Sequence, residues 1–366
     1  MRFCSFQHLL KKPVYLSNRA IFLNGQRLVI FANTLKSSYM AKLTVASVQI
    51  DAIFSCIPQQ KQDNLDNPLL TDPNAFIAHT GIRHRFIASE EARISAYFLE
   101  TCKRGMNALN WEAKDIDVLI CVSQTPDQAI PSCANQLHAM LGALDHCICL
   151  DINQGCSGYV YGLSVVAQYL EKMPVAKALL CVGDFSSRLT DATDPSTQPV
   201  FSDAVTVSFL SHDTSALPMH FSLGSVSKGI QAINMEANKA NELKMKLNGI
   251  DVFSLSVQYV PTQINELLDQ HAAYQNASTS LVLHQANQVI NQFIEKKLSY
   301  QLNSRSSIQQ FGNTSSASIP ITLCHTAPAT NVNQALCISG FGVGFSIASA
   351  LLTLPASCKF HIFDYE

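Results

Sequence analysis

The chain has 366 residues, 47% of them apolar and 14% charged, with 25 basic and 27 acidic side chains for a net charge of −2. That length builds a large core and suggests two domains or two halves of one body. The charge balance supplies no basic field for nucleic acid, and the composition excludes disordered, collagen-like and coiled-coil chains. A charged share so far below the usual value of about 25% points to surface covered by an oligomer.

The first 50 residues lack Asp and Glu; Asp51 is the first acid, after Arg2, Lys11, Lys12, Arg19, Arg27, Lys36 and Lys42. Such a leader reads as a start of translation at Met40, as a transit peptide, or as a peripheral extension. We therefore set residues 1–39 apart as an extension that the fold need not include. No run of 18 apolar residues occurs, so no membrane-spanning helix is expected. The twelve cysteines include no C-x-x-C pair. Cys121, Cys181 and Cys337 lie in apolar runs and read as small buried hydrophobes in a reduced, cytoplasmic setting. The histidines show no metal-ligand spacing, and no metal is expected.

From Leu43 onward, short apolar runs alternate with helical periodicity. Strands are expected at Val118–Val122, Cys147–Ile152, Ala178–Val182, Ser280–Leu283, Leu336–Ser339 and Phe345–Leu354. Helices are expected at Ala134–Leu141, Tyr159–Leu170 and Gln285–Leu298. The alternation implies an α/β body with a mainly parallel sheet. The polar, Pro-bearing stretch Leu210–Met219 marks a boundary, giving halves 40–215 and 216–366. Asn234–Asn248 reads as polar and helix-like.

Three polar residues fall at breaks in this pattern. Cys156 follows a strand and opens a helix, where unpaired N–H groups and the helix dipole favour thiolate, making it a nucleophile or else a plain buried cysteine. Gly155 and Gly158 flank it and allow a tight turn. His284 ends a strand and begins a helix, the place of either a structural imidazole or a ligand-facing one. Asn313 stands beside Gly312, as in an ordinary turn. Together they read as a cysteine-hydrolase triad or as a site gathered at strand ends.

The surrounding segments are more specific. Thr80-Gly81-Ile82-Arg83-His84-Arg85, DINQGCSGYVYGL around Cys156, HQANQVI at His284, FGNTSSASIP at Asn313 and GFGVGFSIASALL occur in this order. Over residues 43–354 the chain resembles the beta-ketoacyl-ACP synthase III family of the thiolase superfamily. The resemblance implies a duplicated, layered α/β/α/β/α thiolase-like body with two mixed sheets, assembled as a homodimer. It implies a ping-pong decarboxylating condensation of the kind used in fatty-acid biosynthesis. Cys156 would take an acyl group from acyl-CoA or acyl-ACP, and malonyl-ACP would lose CO2 while His284 and Asn313 hold the enolate oxygen. The product would be a beta-ketoacyl-ACP, with no cofactor beyond the CoA and carrier thioesters. The backbone N–H groups of Cys156 and Val343 would form the oxyanion hole.

Other positions carry the resemblance less evenly. Phe76, His79 and Thr80 stand where the family contacts CoA, with His79 in place of Arg. Val289 replaces a carrier-contacting Arg, whereas Lys296 and Lys297 match the carrier-docking surface. Ile130 stands where a side chain reaches the partner's acyl pocket, and the family often has Phe there. Val343 occupies a position usually held by Gly. Ser202-Asp203-Ala204 resembles a Gly-Asp-Gly turn, and Asp203 reads as structural. The altered contacts also admit a related acyl-transferring enzyme of a specialised-metabolite or surface-polysaccharide pathway, or a non-catalytic subunit of a heterodimer.

Overall fold

The computed structural model describes residues 21–23, 26–28, 40–328 and 332–365. Contacts divide the chain at Tyr39/Met40. In the first unit Ile21–Leu23 pairs antiparallel with Gln26–Leu28; the start at Met40 and the targeting reading otherwise fall outside the described residues.

The second unit contains two six-stranded sheets. Five strands of the first come from the earlier half: β2 (Val48–Ile57), β5 (Ile116–Val122), β6 (Ile148–Ile152), β7 (Lys177–Asp184) and β8 (Ala204–His212). Five of the second come from the later half: β9 (Met219–Ser225), β12 (Ser280–Leu283), β13 (Asn303–Arg305), β14 (Gln334–Gly342) and β15 (Ser346–Leu354). The spatial orders are β2-β8-β7-β5-β6 and β9-β15-β14-β12-β13. Numbered within each half, both read first-fifth-fourth-second-third, so the connectivity is duplicated. Both sheets are mixed; β5 runs parallel to β6 and β7, and β12 runs parallel to β13 and β14.

The terminal strands cross over between halves. β1 (Ala41–Val45) pairs with β9 of the second sheet, and β16 (Lys359–Asp364) pairs with β2 of the first. A boundary at 215/216 lies in the loop between β8 and β9, yet the halves are interlocked rather than consecutive.

The helices are likewise matched. α2 (Ile94–Leu109) and α3 (Cys133–Leu141) cover the outside of the first sheet, burying Phe98, Cys102 and Leu137 against Leu119, Cys181 and Phe209. α5 (Gly249–Leu268) and α6 (Gln288–Glu295) cover the outside of the second, burying Val260, Ile264 and Ile294 against Leu281, Cys337 and Leu351. α4 (Gly158–Lys172) and α7 (Ser318–His325) lie between the sheets. Their Leu163, Val166, Ile319 and Leu323 meet Ile120 and Leu180 on one side and Ile338 and Ala350 on the other. Strands buried on both faces must be apolar throughout, which is why VLICV and ALLCV have no alternation.

Two expectations are corrected. Asn234–Asn248 is mostly an antiparallel hairpin of β10 (Ile233–Ala237) and β11 (Leu243–Leu247), not a helix. The Asn238 side chain accepts from the N–H groups of Ala240 and Glu242 and bends the chain there. The helix expected from Gln285 begins at Gln288, because Asn287 is extended and caps it through the Ile290 N–H. α1 (Pro73–Thr80) and the hairpin of β3 (Gln60–Asp63) with β4 (His84–Ile87) complete the elements used below.

Candidate active site

The two central helices start close together, and the site forms where they do. The connection from β6 to α4 carries Cys156; the corresponding connection from β13 to α7 carries Asn313. A Cβ on Gly158 would lie 3.5 Å from the Ser316 Cβ and 2.6 Å from Val122, so glycine lets α4 begin against both the sheet and the opposite turn. His284 follows β12, and its N–H donates to the Ser339 carbonyl of β14 at 2.8 Å.

β14 brings backbone onto the nucleophile. A Cβ on Gly340 would stand 2.7 Å from the Cys156 carbonyl oxygen, and one on Gly342 3.0 Å from its Sγ. No side chain fits at either position. Beyond Gly342, the Val343 N–H faces the sulfur together with the Cys156 N–H. The hydroxyls of Ser157 and Ser346, 2.6 Å apart, tie the two turns together.

Cys156, His284 and Asn313 all line one cavity of about 310 Å³. Phe76, Thr80, Phe201, Ala286 and Ile290 line it too, with the exposed His79 at its edge. Thus α1, α6 and the nucleophile turn converge on the same space. Ile130 is 87% exposed and lines no part of it. Lys296 and Lys297 lie exposed just past the end of α6; Lys296 sits 5.6 Å over the Phe293 ring, and Lys297 donates to the Val257 carbonyl.

The electrostatics correct one expectation. Burial pushes the Cys156 thiol up to about 12, the nearby Asp184 adds to this, and hydrogen bonds from the Cys156 and Val343 N–H groups and from Ser315 only partly oppose it. The resting group is therefore a thiol. Desolvation outweighs the helix-mouth effect that sequence position suggested. The Asp184 carboxylate is itself engaged by the Gln124 N–H and the Ser316 hydroxyl.

His284 is 1% exposed, and burial holds its ring down to about 3, so it is neutral at physiological pH. Its Nδ1 lies 2.7 Å from the Ser318 Oγ. That oxygen also accepts from the Gln285 N–H, and a Ser318 hydroxyl that donates to Nδ1 leaves the imidazole proton on Nε2. The Phe341 ring packs edge-on at 5.6 Å. Asn313 is fixed similarly: its Oδ1 accepts from the Ser315 N–H at 3.0 Å, so its Nδ2 is the end free to donate to a ligand. One pocket thus holds two neutral donors and a thiol.

Sequence reasoning missed Ser315 and Ser318. Ser315 has φ 49° and engages all three residues: its side chain reaches Cys156, its backbone His284, its N–H Asn313. Its only sequence signal is a serine two places after Asn313. Asp203 accepts from the N–H groups of Ala88 and Ser187 and from the Ser187 hydroxyl, away from the cavity. Among the described residues no cluster of three or more His, Cys, Asp or Glu could hold a metal, and no helix is long and apolar enough to cross a membrane.

The buried ring makes stability depend on pH. His284 takes up a proton in the unfolded chain near its usual 6.5 but in the folded chain only near 3. The unfolded state binds more protons in that window, so stability falls as pH drops through it. In urea unfolding at pH 7 and pH 4.5, His284→Gln is expected to lose less stability on acidification than the wild type.

The chain is similar to known proteins over most of its length. Residues 150–227 match the family described as 3-oxoacyl-[acyl-carrier-protein (ACP)] synthase III, and residues 268–354 match its C-terminal part. The beta-ketoacyl-[acyl-carrier-protein] synthase III of Escherichia coli K12 is 29% identical over 311 residues, covering 81% of this chain and 96% of that protein. The 3-oxoacyl-(acyl-carrier protein) synthase of Burkholderia xenovorans LB400 superposes with a TM-score of 0.81 at 27% identity, over 88% of this chain and 99% of that one. The synthase III of Pseudomonas aeruginosa PAO1 gives a TM-score of 0.74 at 25% identity, over 84% and 98%. The duplicated five-layer body is the thiolase-like fold of these enzymes, and the chain is similar to the 3-oxoacyl-[acyl-carrier-protein] synthase III family over both halves.

Proposed function

We propose that this protein is an acyltransferase that condenses an acyl thioester with malonyl-ACP, releasing CO2 and a beta-ketoacyl-ACP. The observation that carries the reading is the single cavity onto which Cys156, His284 and Asn313 open. In the first half-reaction the Cys156 sulfur attacks the acyl thioester carbonyl. The new C–S bond replaces that to the donor, whose thiol leaves with the proton Cys156 gives up. The N–H groups of Cys156 and Val343 accommodate the oxyanion of the tetrahedral intermediate.

In the second half-reaction the malonyl C–C bond breaks and its electron pair passes to the thioester oxygen as CO2 departs. The His284 Nε2–H and Asn313 Nδ2–H donate to that oxygen. The enolate carbon then attacks the acyl-Cys156 carbonyl, and the cysteine thiolate leaves and regains a proton from solvent. Two neutral donors suit this step, because a cation would pair with the malonyl carboxylate and hinder its loss. CoA and carrier thioesters serve as substrates, with no further cofactor.

Incubating the protein with acyl donors tests the reading: a mass increment of one acyl group on the Cys156 peptide is expected, then discharged by malonyl-ACP. Absence of labelling by every acyl-CoA and acyl-ACP would overturn it.

We also propose a cytoplasmic homodimer. Edge strand β6 exposes Leu150, and Ile130, Met140 and Leu144 beside it are exposed apolar side chains, which favours burial against a second copy. The carrier would dock at Lys296 and Lys297. Lys296→Glu is expected to raise KM for malonyl-ACP about two- to tenfold with kcat little changed, and the effect should shrink with added salt.

A further inference from the structure

A second cavity, of about 270 Å³, adjoins the first. Leu189, Ile233, Met235, Met245 and Val343 line it, and the carboxamides of Gln124 and Asn153 stand at its solvent side, 3.3 Å apart. Ile233 borders both cavities. The partition is the turn that serves the nucleophile: Gly342 lines the cavity of Cys156, and the next residue, Val343, lines the other.

The crowding centres on Gly155, the neighbour of Cys156. A Cβ there would fall 3.2 Å from the Val343 Cγ2 and 2.6 Å from the Gln124 Oε1. Val343 therefore leans over the nucleophile turn while its N–H faces the sulfur. On the acyl-Cys156 reading, an acyl carbonyl oxygen at that N–H would bring the acyl group beside residue 343, at the border of the two cavities. The bulk of that side chain then narrows the way from the Cys156 cavity into the second one.

We propose that Val343 is a specificity-determining residue: with Ile233 it forms the neck of the acyl compartment and confines Cys156 to short acyl groups. The proposal rests on the acyl-Cys156 reading above. Replacing Val343 with glycine keeps the N–H and removes the neck. Each methylene newly accommodated away from water favours reaction by about fourfold.

Two probe series test this and separate it from the parent reading. In the first, rates of acyl-Cys156 formation are compared for acetyl-, butyryl- and hexanoyl-CoA and the matching acyl-ACPs. In the second, Cys156 is thiolated with methyl, butyl and hexyl methanethiosulfonate. There its thiolate attacks the sulfenyl sulfur, a disulfide forms and methanesulfinate leaves, so no catalysis is needed. Peptide mapping distinguishes Cys156 from the partly exposed Cys147 and Cys149.

With one to two further methylenes accommodated, the ratio of the hexyl or hexanoyl rate to the shortest-chain rate is expected to rise about tenfold in Val343→Gly, with Val343→Ala between. A ratio within a series cancels any general loss of activity or stability. Ratios unchanged in both variants would overturn the proposal. If the thiolation ratio moves while no acyl donor labels the wild type, the neck stands and the condensing reading falls.

Discussion

Cys156→Ala is expected to form no acyl adduct and to lose condensation by about 10³- to 10⁶-fold, the scale seen when an enzyme loses its nucleophile. The substitution removes one buried atom and leaves the rest of the site. The His284 and Asn313 donors do not depend on the sulfur, so CO2 release from malonyl-ACP should persist when ketoacyl product does not. Intact-protein mass and CO2 release separate the two. Ketoacyl-ACP formed at wild-type rates by this variant would remove Cys156 from the chemistry. The same sulfur has a measurable resting state. Because burial and Asp184 push it up to about 12, its alkylation by iodoacetamide should be slow near pH 7 and climb steadily through alkaline pH. A low-pKa thiolate would instead react at a rate that levels off below neutrality.

Asn313→Asp is expected to lower decarboxylation by at least about 10²- to 10³-fold, the cost of one oxyanion donor. One carboxylate oxygen can keep the Ser315 N–H that Oδ1 holds now. The other would face the developing enolate with like charge instead of an N–H. His284→Ala removes the second donor and is expected to cause a loss of the same order. Acylation of Cys156 uses backbone N–H groups, so both variants should still take up an acyl label within several-fold of wild type. A variant with normal CO2 release would show that its residue does not hold the malonyl oxygen.

Much of this molecule was legible from its strands. VLICV, ALLCV and SLVL are apolar without alternation because helices cover both faces, so their place in a layered body followed from composition alone. The Cys156, His284 and Asn313 segments were legible because glycine and asparagine interrupt that pattern at strand ends. The ionisation of Cys156 was not. A helix start says that N–H groups are near, but how much water the fold removes depends on residues distant in sequence, such as Gly342 and Asp184. Ser315 was hidden for a related reason: its role depends on a left-handed backbone that a serine code does not announce. The 233–247 hairpin misled because its turn is built by the Asn238 side chain, a local bond that hydrophobic periodicity does not register.

The exchange of terminal strands has a consequence for how this protein can be taken apart. Residues 41–45 finish the sheet of the later half, and residues 359–364 finish that of the earlier one. Neither half, cut at the loop between β8 and β9, keeps all six strands of its own sheet. Split there and made as separate chains, the pieces would each present an open edge shaped for the other, and reassembly rather than solitary folding would be their route to a working cavity.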